Sequence, residues 1–253
     1  MATNKISLIT GGSRGLGKSM ALHVAQKGGD VILTYRSKKE EADAVVAEIA
    51  AMGRNAVALQ LDVSDSGSFA GFMEQVRSVL DSTWGRTTFD HLVNNAGTGY
   101  HAAFADTDEG QFDELVKIHL KAPYFLSQRL LPLIADGGKI LNVSSGLSRF
   151  SFPGYSAYAS MKGGVEVMTR YMARELGARK ITVNVLAPGA IETDFGGGRV
   201  RDDKELNQLV ASMTALGRTG QPEDIGSITA ALLSEDSNWV TGQRIEASGG
   251  MLL

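Results

Sequence analysis

The sequence predicts an α/β fold: a single doubly wound parallel sheet of about seven strands with helices on both faces. Three observations carry this. Short β-branched runs alternate with longer amphipathic stretches along the whole chain, the pattern of crossover units rather than of hairpins. The stretches between the first six runs are long enough for helices, and right-handed crossovers wind such helices onto both faces of one sheet. No linker interrupts the 253 residues, so the chain reads as one domain spanning 1–253.

The strands are expected at 5–10, 31–35, 56–61, 91–94, 139–143, 182–186 and 244–247. A helix over 38–52 sets Ala42, Val45, Val46 and Ile49 on one face, and Gly53 closes it. Glu40 and Glu41 suit its first turn. Ser64 or Asp65 can cap the helix carrying Phe69, Phe72, Met73, Val76 and Leu80. The stretch 110–135 reads as helical, but Pro123 removes one hydrogen bond and predicts a kink or a break. Another long helix is expected over 155–177. A mobile insertion is expected at about 190–218, where Gly196-Gly197-Gly198 precedes a polar run.

Composition narrows the function classes. Apolar residues make up 43% and charged residues 21%, which excludes a disordered chain. The 30 glycines show no three-residue period, so they serve turns and close backbone approaches. A net charge of −3 gives no basic nucleic-acid footprint. Without cysteine there is no disulfide, thiolate metal site or thiol nucleophile. His23, His91, His101 and His119 are too scattered to suggest a metal site. No apolar run is long enough to span a bilayer, and the N-terminus has no leader pattern, so a cytoplasmic protein is expected.

After the first strand comes Thr10-Gly11-Gly12-Ser13-Arg14-Gly15-Leu16-Gly17. Its G-x-x-x-G-x-G spacing differs from the usual dinucleotide G-x-G-x-x-G but follows the same logic. A tight turn leaves the strand, the backbone approaches a diphosphate, and the next helix offers free N–H groups at its positive end. A ligand-free glycine turn is the alternative. Tyr158 and Lys162 are four residues apart, so a helix puts them on one face. A nearby ammonium favours a phenolate and lowers a tyrosine pKa.

These motifs together resemble the short-chain dehydrogenase/reductase family. The glycine loop matches its TGxxxGxG element, Asp62 and Val63 its residues beside the adenine, and Asn94-Asn95-Ala96-Gly97 its NNAG. Ser145 lies 13 residues before Tyr158, and Tyr158 with Lys162 completes YxxxK. Asn184 with Pro188-Gly189 matches NxxxPG, followed by Ile191 and Thr193. The resemblance implies a Rossmann-like enzyme that moves hydride between a nicotinamide cofactor and a carbonyl or alcohol. It assigns Tyr158 as general acid/base, Ser145 as the group orienting the carbonyl oxygen, and Lys162 as holding the nicotinamide ribose. It assigns cofactor contacts to Gly11, Ser13, Arg14, Gly15, Leu16, Gly17, Asp62, Val63, Asn94, Ala96, Gly97, Pro188, Gly189, Ile191 and Thr193. His119 stands where the family has an asparagine acting largely through its backbone carbonyl. The imidazole either titrates near neutrality and alters a proton relay, or is a satisfied histidine in a kinked helix.

The second strand ends Thr34-Tyr35-Arg36-Ser37 without the acid that holds the ribose hydroxyls in NAD enzymes. Arg36, with Ser37 and Arg14, is instead suited to a 2′-phosphate, so NADP(H) is expected over NAD. Thr98, Gly99, Tyr100, Leu147, Phe150, Phe152, Tyr155 and Phe195 suggest an apolar substrate wall. Arg149 either meets an anionic group there or faces water. One alternative is a reductase of 3-oxoacyl chains on acyl carrier protein, weakened because 130–138 has no basic residue. Another is a non-catalytic redox sensor, disfavoured because Tyr158 and Lys162 are both retained. The resemblance further implies a homotetramer built through segment 110–135, helix 155–177 and the last strand.

Overall fold

The computed structural model describes residues 4–253. Its elements, in order, are β1 (Ile6–Ile9), α1 (Gly15–Gln26), β2 (Asp30–Tyr35), α2 (Lys39–Ala51), β3 (Ala56–Gln60), α3 (Phe69–Trp84), β4 (Phe89–Asn94) and α4 (Glu109–Val116). There follow α5 (Ala122–Leu130), β5 (Ile134–Val143), α6 (Ser156–Leu176), β6 (Thr182–Pro188), α7 (Arg199–Asp202), α8 (Lys204–Ser212), α9 (Pro222–Leu233) and β7 (Arg244–Ala247). The strands form one parallel seven-stranded sheet in the order β3-β2-β1-β4-β5-β6-β7. No helix among the described residues is long and apolar enough to cross a membrane.

Successive strand residues point to opposite faces, and both faces are covered. Ile9, Val31, Leu33, Val93, Leu141 and Leu186 pack with α1, α2 and α9. Their neighbours Leu8, Ile32, Leu92, Ile140 and Val183 pack with α3, α5 and α6. The chain progresses outward in both directions from β1 and β4, so their crossovers diverge and leave a crevice beyond the carboxyl ends of these strands.

A buried polar chain braces the floor of that crevice. Asn94 Nδ2 donates to Asn142 Oδ1 at 2.8 Å and to Ser127 Oγ at 2.9 Å. Asn142 Nδ2 donates to Thr169 Oγ1 at 2.8 Å, which donates to Val165 O at 2.8 Å. Two strands and two helices are thereby pinned through linked side-chain hydrogen bonds.

Two expected boundaries shift. β5 starts at Ile134 rather than 139, because Gly137 and Gly138 form an irregularity inside the strand. Gly137 has φ +77°, and a Cβ on Gly138 would stand 2.5 Å from Asp90 O. The stretch 110–135 is broken as Pro123 predicts. A π-helical turn at Lys117–Lys121 separates α4 from α5, with the proline in the first turn of α5, where its missing N–H is tolerated. Before α3, the Asp65 carboxylate rather than Ser64 accepts from Gly67 N, at 3.0 Å.

Candidate active site

The glycine loop is held from three sides. Thr10 Oγ1 donates to Val93 O at 3.3 Å and accepts from Asn95 N and Ala96 N, both at 3.0 Å. Asn95 Nδ2 donates to Thr10 O at 2.9 Å and Gly11 O at 3.2 Å. Thr34 accepts from Gly11 N through Oγ1 at 3.1 Å and from Gly12 N through its carbonyl at 2.8 Å. Gly11 and Gly15 have φ of +65° and +53°. A Cβ on Gly17 would stand 2.1 Å from Gly11 O, so backbone meets backbone there with no room for a methyl. Arg14 is the N-cap of α1, and no side chain caps the helix. Its first N–H groups therefore remain for an anion, and the loop fits a dinucleotide diphosphate. Leu16 is half-buried and packs against the sheet core, and Ser13 is half-buried in the same loop.

Around the crevice the predicted residues divide. Arg36 is exposed after β2 and makes no ion pair with any described residue; Lys38 occupies Glu41 at 2.7 Å. Ser37 follows it on the same exposed rim. Asp62 Oδ1 accepts from Ser64 N and Oγ at 2.9 and 2.8 Å. Val63, Ala96, His119 and Lys162 border a gap of about 10 Å³ under the crevice. Pro188-Gly189 is locked to the end of β7, where Gly189 N donates to Ala247 O at 3.1 Å and a Cβ would meet Ser248 Cα at 2.8 Å. Thr193 lies 3.6 Å from where a Cβ on Gly15 would stand, and Ile191 bridges to Gly220, so this segment borders the glycine loop. Asn94 borders the same gap as Val63; its Nδ2 donates to Ser127 and Asn142, which leaves its side-chain and backbone oxygens on that side.

Ser145 follows β5 as the N-cap of a short turn at Gly146–Ser148, its Oγ accepting from Leu147 N at 3.2 Å. Tyr158 and Lys162 lie on the inner face of α6, both buried. Lys162 Nζ donates to Val143 O at 2.8 Å and lies 5.5 Å from the Tyr158 ring centroid. Burial lowers the Lys162 ammonium to about 7. Burial also raises the Tyr158 phenol above its ordinary value, while an interaction with Ser145 pulls the other way. Lys162 does not bring about the expected depression of the phenol; desolvation dominates, and Tyr158 holds its proton at neutral pH.

His119 sits in the π-helical turn, edge-on to Tyr158 with centroids 5.1 Å apart. Its Nε2 donates to Thr98 O at 2.8 Å, and Nδ1 has no partner among the described residues. A Cβ on Gly97 would stand 2.8 Å from the imidazole Cε1. Burial, reinforced by Lys162, lowers His119 to about 3. Titration near neutrality, one of its two expected behaviours, is thereby corrected: the ring stays neutral.

A family model described as enoyl-(acyl carrier protein) reductase matches residues 11–252. The chain is 36% identical to a 3-oxoacyl-[acyl-carrier-protein] reductase of Staphylococcus aureus, covering 100% of both chains. It is 37% identical to the structure of LugOII, a promiscuous reductase catalysing keto-reduction at C1 in lugdunomycin biosynthesis, with TM-score 0.94 and 99% of each chain covered. It is 34% identical to the angucycline C-6 ketoreductase LanV with bound NADP, with TM-score 0.94 and 99% and 96% covered. The chain belongs to the short-chain dehydrogenase/reductase family.

In this short-chain dehydrogenase/reductase, aromatic side chains roof the phenol. The Phe195 ring lies 5.8 Å from Tyr158 and 3.2 Å from where a Cβ on Gly99 would stand. Tyr100 and Leu147 pack against the buried Tyr158 cluster. Phe150 pairs with Phe152 at 6.0 Å, and Tyr155 with His101 at 4.9 Å. Arg149 packs over the Phe150 ring at 5.3 Å, forms a double hydrogen bond to Glu246 at 2.7 and 2.8 Å and donates to two C-terminal carbonyls.

The segment expected to be a mobile insertion carries α7 and α8 after three left-handed glycines. Glu192 anchors its base, accepting from Asn207 Nδ2 at 2.7 Å and from Thr219 Oγ1. Asp194 pairs with Arg201 at 2.6 Å and lies 3.9 Å from Arg14. Sequence reading missed these anchors, and also Glu166 and Arg244 beside Ser145, because ordinary polar residues far apart in the chain carry no spacing signal.

Proposed function

We propose that this enzyme is an NADPH-dependent carbonyl reductase acting on a small ketone or aldehyde, with the reverse alcohol oxidation open to the same site. The observation that carries the reading is the buried Tyr158 phenol, with Lys162 5.5 Å from its ring and Phe195 5.8 Å away over it, and burial raises its pKa. A phenol that keeps its proton is poised to donate it to a carbonyl oxygen as charge develops there. Ser145 donates a hydrogen bond to the same oxygen and fixes its direction. Lys162 lies below Tyr158 and holds the nicotinamide ribose hydroxyls. Bound NADPH supplies the hydride.

The glycine loop and the free N-terminus of α1 hold the diphosphate. Arg36, unpaired at the end of β2, receives the 2′-phosphate, and the absence of an acid there disfavours NAD. NADP in the LanV structure supports this choice. His119 contributes as a neutral ring fixing Thr98 and the edge of Tyr158, rather than as a proton carrier. We further propose a homotetramer, supported by exposed Tyr124, Phe125, Val167 and Tyr171 on α5 and α6 and tested by light scattering.

The test is NADPH oxidation with a panel of aldehydes, ketones and carrier-bound 3-oxoacyl substrates. Wild type consumes NADPH with free ketones; Tyr158→Phe binds NADPH but does not turn over. A Tyr158→Phe variant reducing ketones at the wild-type rate overturns the assignment. The full-length relative from Staphylococcus aureus supports 3-oxoacyl carrier-protein reduction as a second reading. Arg179 is engaged by Asp136 at 2.7 Å and by the carbonyls of Leu131 and Ile134, whereas Arg129, Arg174 and Lys180 are exposed without an ion pair among the described residues and stay open to an acidic carrier. Turnover only on the carrier-bound substrate would select that reading.

A further inference from the structure

Ser145 sits at the end of a chain of charges that runs to the C-terminus. The Glu166 Oε1 atom on α6 accepts from Arg244 Nε at 2.8 Å and from Ser144 Oγ at 2.8 Å, with Ser148 Oγ at 2.5 Å. Arg244 reaches past this carboxylate, and its Nη2 donates to the Ser145 carbonyl at 3.3 Å. Through Nη1 it donates to Glu246 at 2.7 Å, two residues along the same strand. Glu246 accepts both arms of Arg149, and Arg149 donates to Met251 O at 2.7 Å and Leu252 O at 2.9 Å.

The arrangement grips the residues on both sides of Ser145 together with its carbonyl. Rotation of the peptide after Ser145 would swing the Cα–Cβ bond and with it the hydroxyl. Planar guanidinium forks restrain such rotation better than point charges do. The side chains of Glu166, Arg244 and Glu246 are only 15%, 23% and 18% exposed, so the central part of the chain is shielded from full solvent screening.

We propose that Glu166, Arg244, Glu246 and Arg149 are positioning residues that fix the Ser145 hydroxyl for carbonyl orientation and tie that position to the C-terminal tail. This rests on the reading of Ser145 given above. It extends that reading to four side chains outside the glycine loop, of which Arg149 also packs over the Phe150 ring at 5.3 Å.

The test compares Arg244→Gln and Arg149→Gln with wild type and with Arg77→Gln, which breaks a remote surface pair on α3. In Arg244→Gln, kcat on a reduced ketone falls roughly 10- to 100-fold while NADPH affinity changes less than about twofold. Arg149→Gln, at the exposed end of the chain, gives a smaller fall in the same direction. In a Ser145→Ala background, Arg244→Gln adds almost nothing, because the group it positions is gone. An undiminished, multiplicative loss in that background overturns the proposal.

Amide exchange across 144–152 supplies a readout that needs no turnover. Faster exchange there in Arg244→Gln, with the rest of the sheet unchanged, supports the proposal; unchanged exchange overturns it whatever the enzyme reduces. If wild type reduces no carbonyl on the panel, the functional reading fails, and the exchange measurement still decides the restraint on Ser145.

Discussion

Replacing Gly17 by alanine tests the core of the cofactor site with one carbon atom. The new Cβ would stand 2.1 Å from Gly11 O, 2.7 Å from Asn95 Nδ2 and 2.8 Å from Gly11 C. Ordinary carbon contacts lie near ~3.5 Å, so the loop and the first turn of α1 must part by more than about 1 Å. Neither side yields easily, because Asn95 and Thr34 hold the loop and α1 packs on the sheet. Overpacking of this kind costs about 1–3 kcal/mol, a fall in Tm of roughly 2–12 °C for a chain of this size. The same displacement spoils the hydrogen bonds to the diphosphate, and losing one such charged bond weakens NADPH by at least about tenfold. Thermal melts with and without NADPH, together with a nucleotide fluorescence titration, measure both effects. Gly71→Ala is the control: its Cβ meets nothing within 4 Å on α3, and it should gain roughly 0.5–1 kcal/mol. A Gly17→Ala protein with wild-type Tm and NADPH affinity would refute the steric argument.

Other outcomes follow from the same geometry. His119→Asn leaves the pH–rate profile between pH 5 and 8 unmoved, because a ring held at about 3 does not titrate there; a displaced limb would show that it does. Arg36→Asp moves cofactor preference from NADPH toward NADH by roughly 10- to 100-fold in kcat/KM, since a fork matching the 2′-phosphate becomes a like charge. Equal use of both cofactors by wild type counts against that role. Buried His91 and His119 have folded-state values of about 4 and about 3, below the unfolded value of about 6.5. The unfolded chain therefore takes up protons first, and stability falls as pH drops from 6.5 toward 4 before levelling out for these groups below about 3. Urea denaturation of the cofactor-free protein should show a slope of up to about 2.7 kcal/mol per pH unit across that window. A flat stability from pH 7 to 5 would contradict it.

The sheet was legible because β-branched runs and amphipathic stretches alternate without interruption, and every predicted strand is present. The glycine loop was legible for a harder reason: a carbonyl 2.1 Å from a would-be Cβ at Gly17 leaves the chain no other residue there. What escaped depends on three-dimensional partners. Gly137-Gly138 looks like a turn in one dimension, yet it is an irregularity inside β5 that fits against Asp90. Asn94 carries a motif letter, but only the position of Asn142 on the next strand decides where its Nδ2 donates. Arg149 found a carboxylate almost a hundred positions away. The pKa of Tyr158 turned on its depth in the protein rather than on the lysine one helical turn along.

The Asn94–Asn142–Thr169 brace sets a rule for redesign. Asn142 both receives from Asn94 and gives to Thr169, so swapping either asparagine for an aliphatic residue strands its neighbour's polar atom. Drift at these positions must come as matched pairs, whereas the aromatic roof above, from Tyr100 to Phe195, can be recarved one residue at a time. Libraries meant to alter which ketone is accepted should therefore vary the ceiling and leave the joists alone.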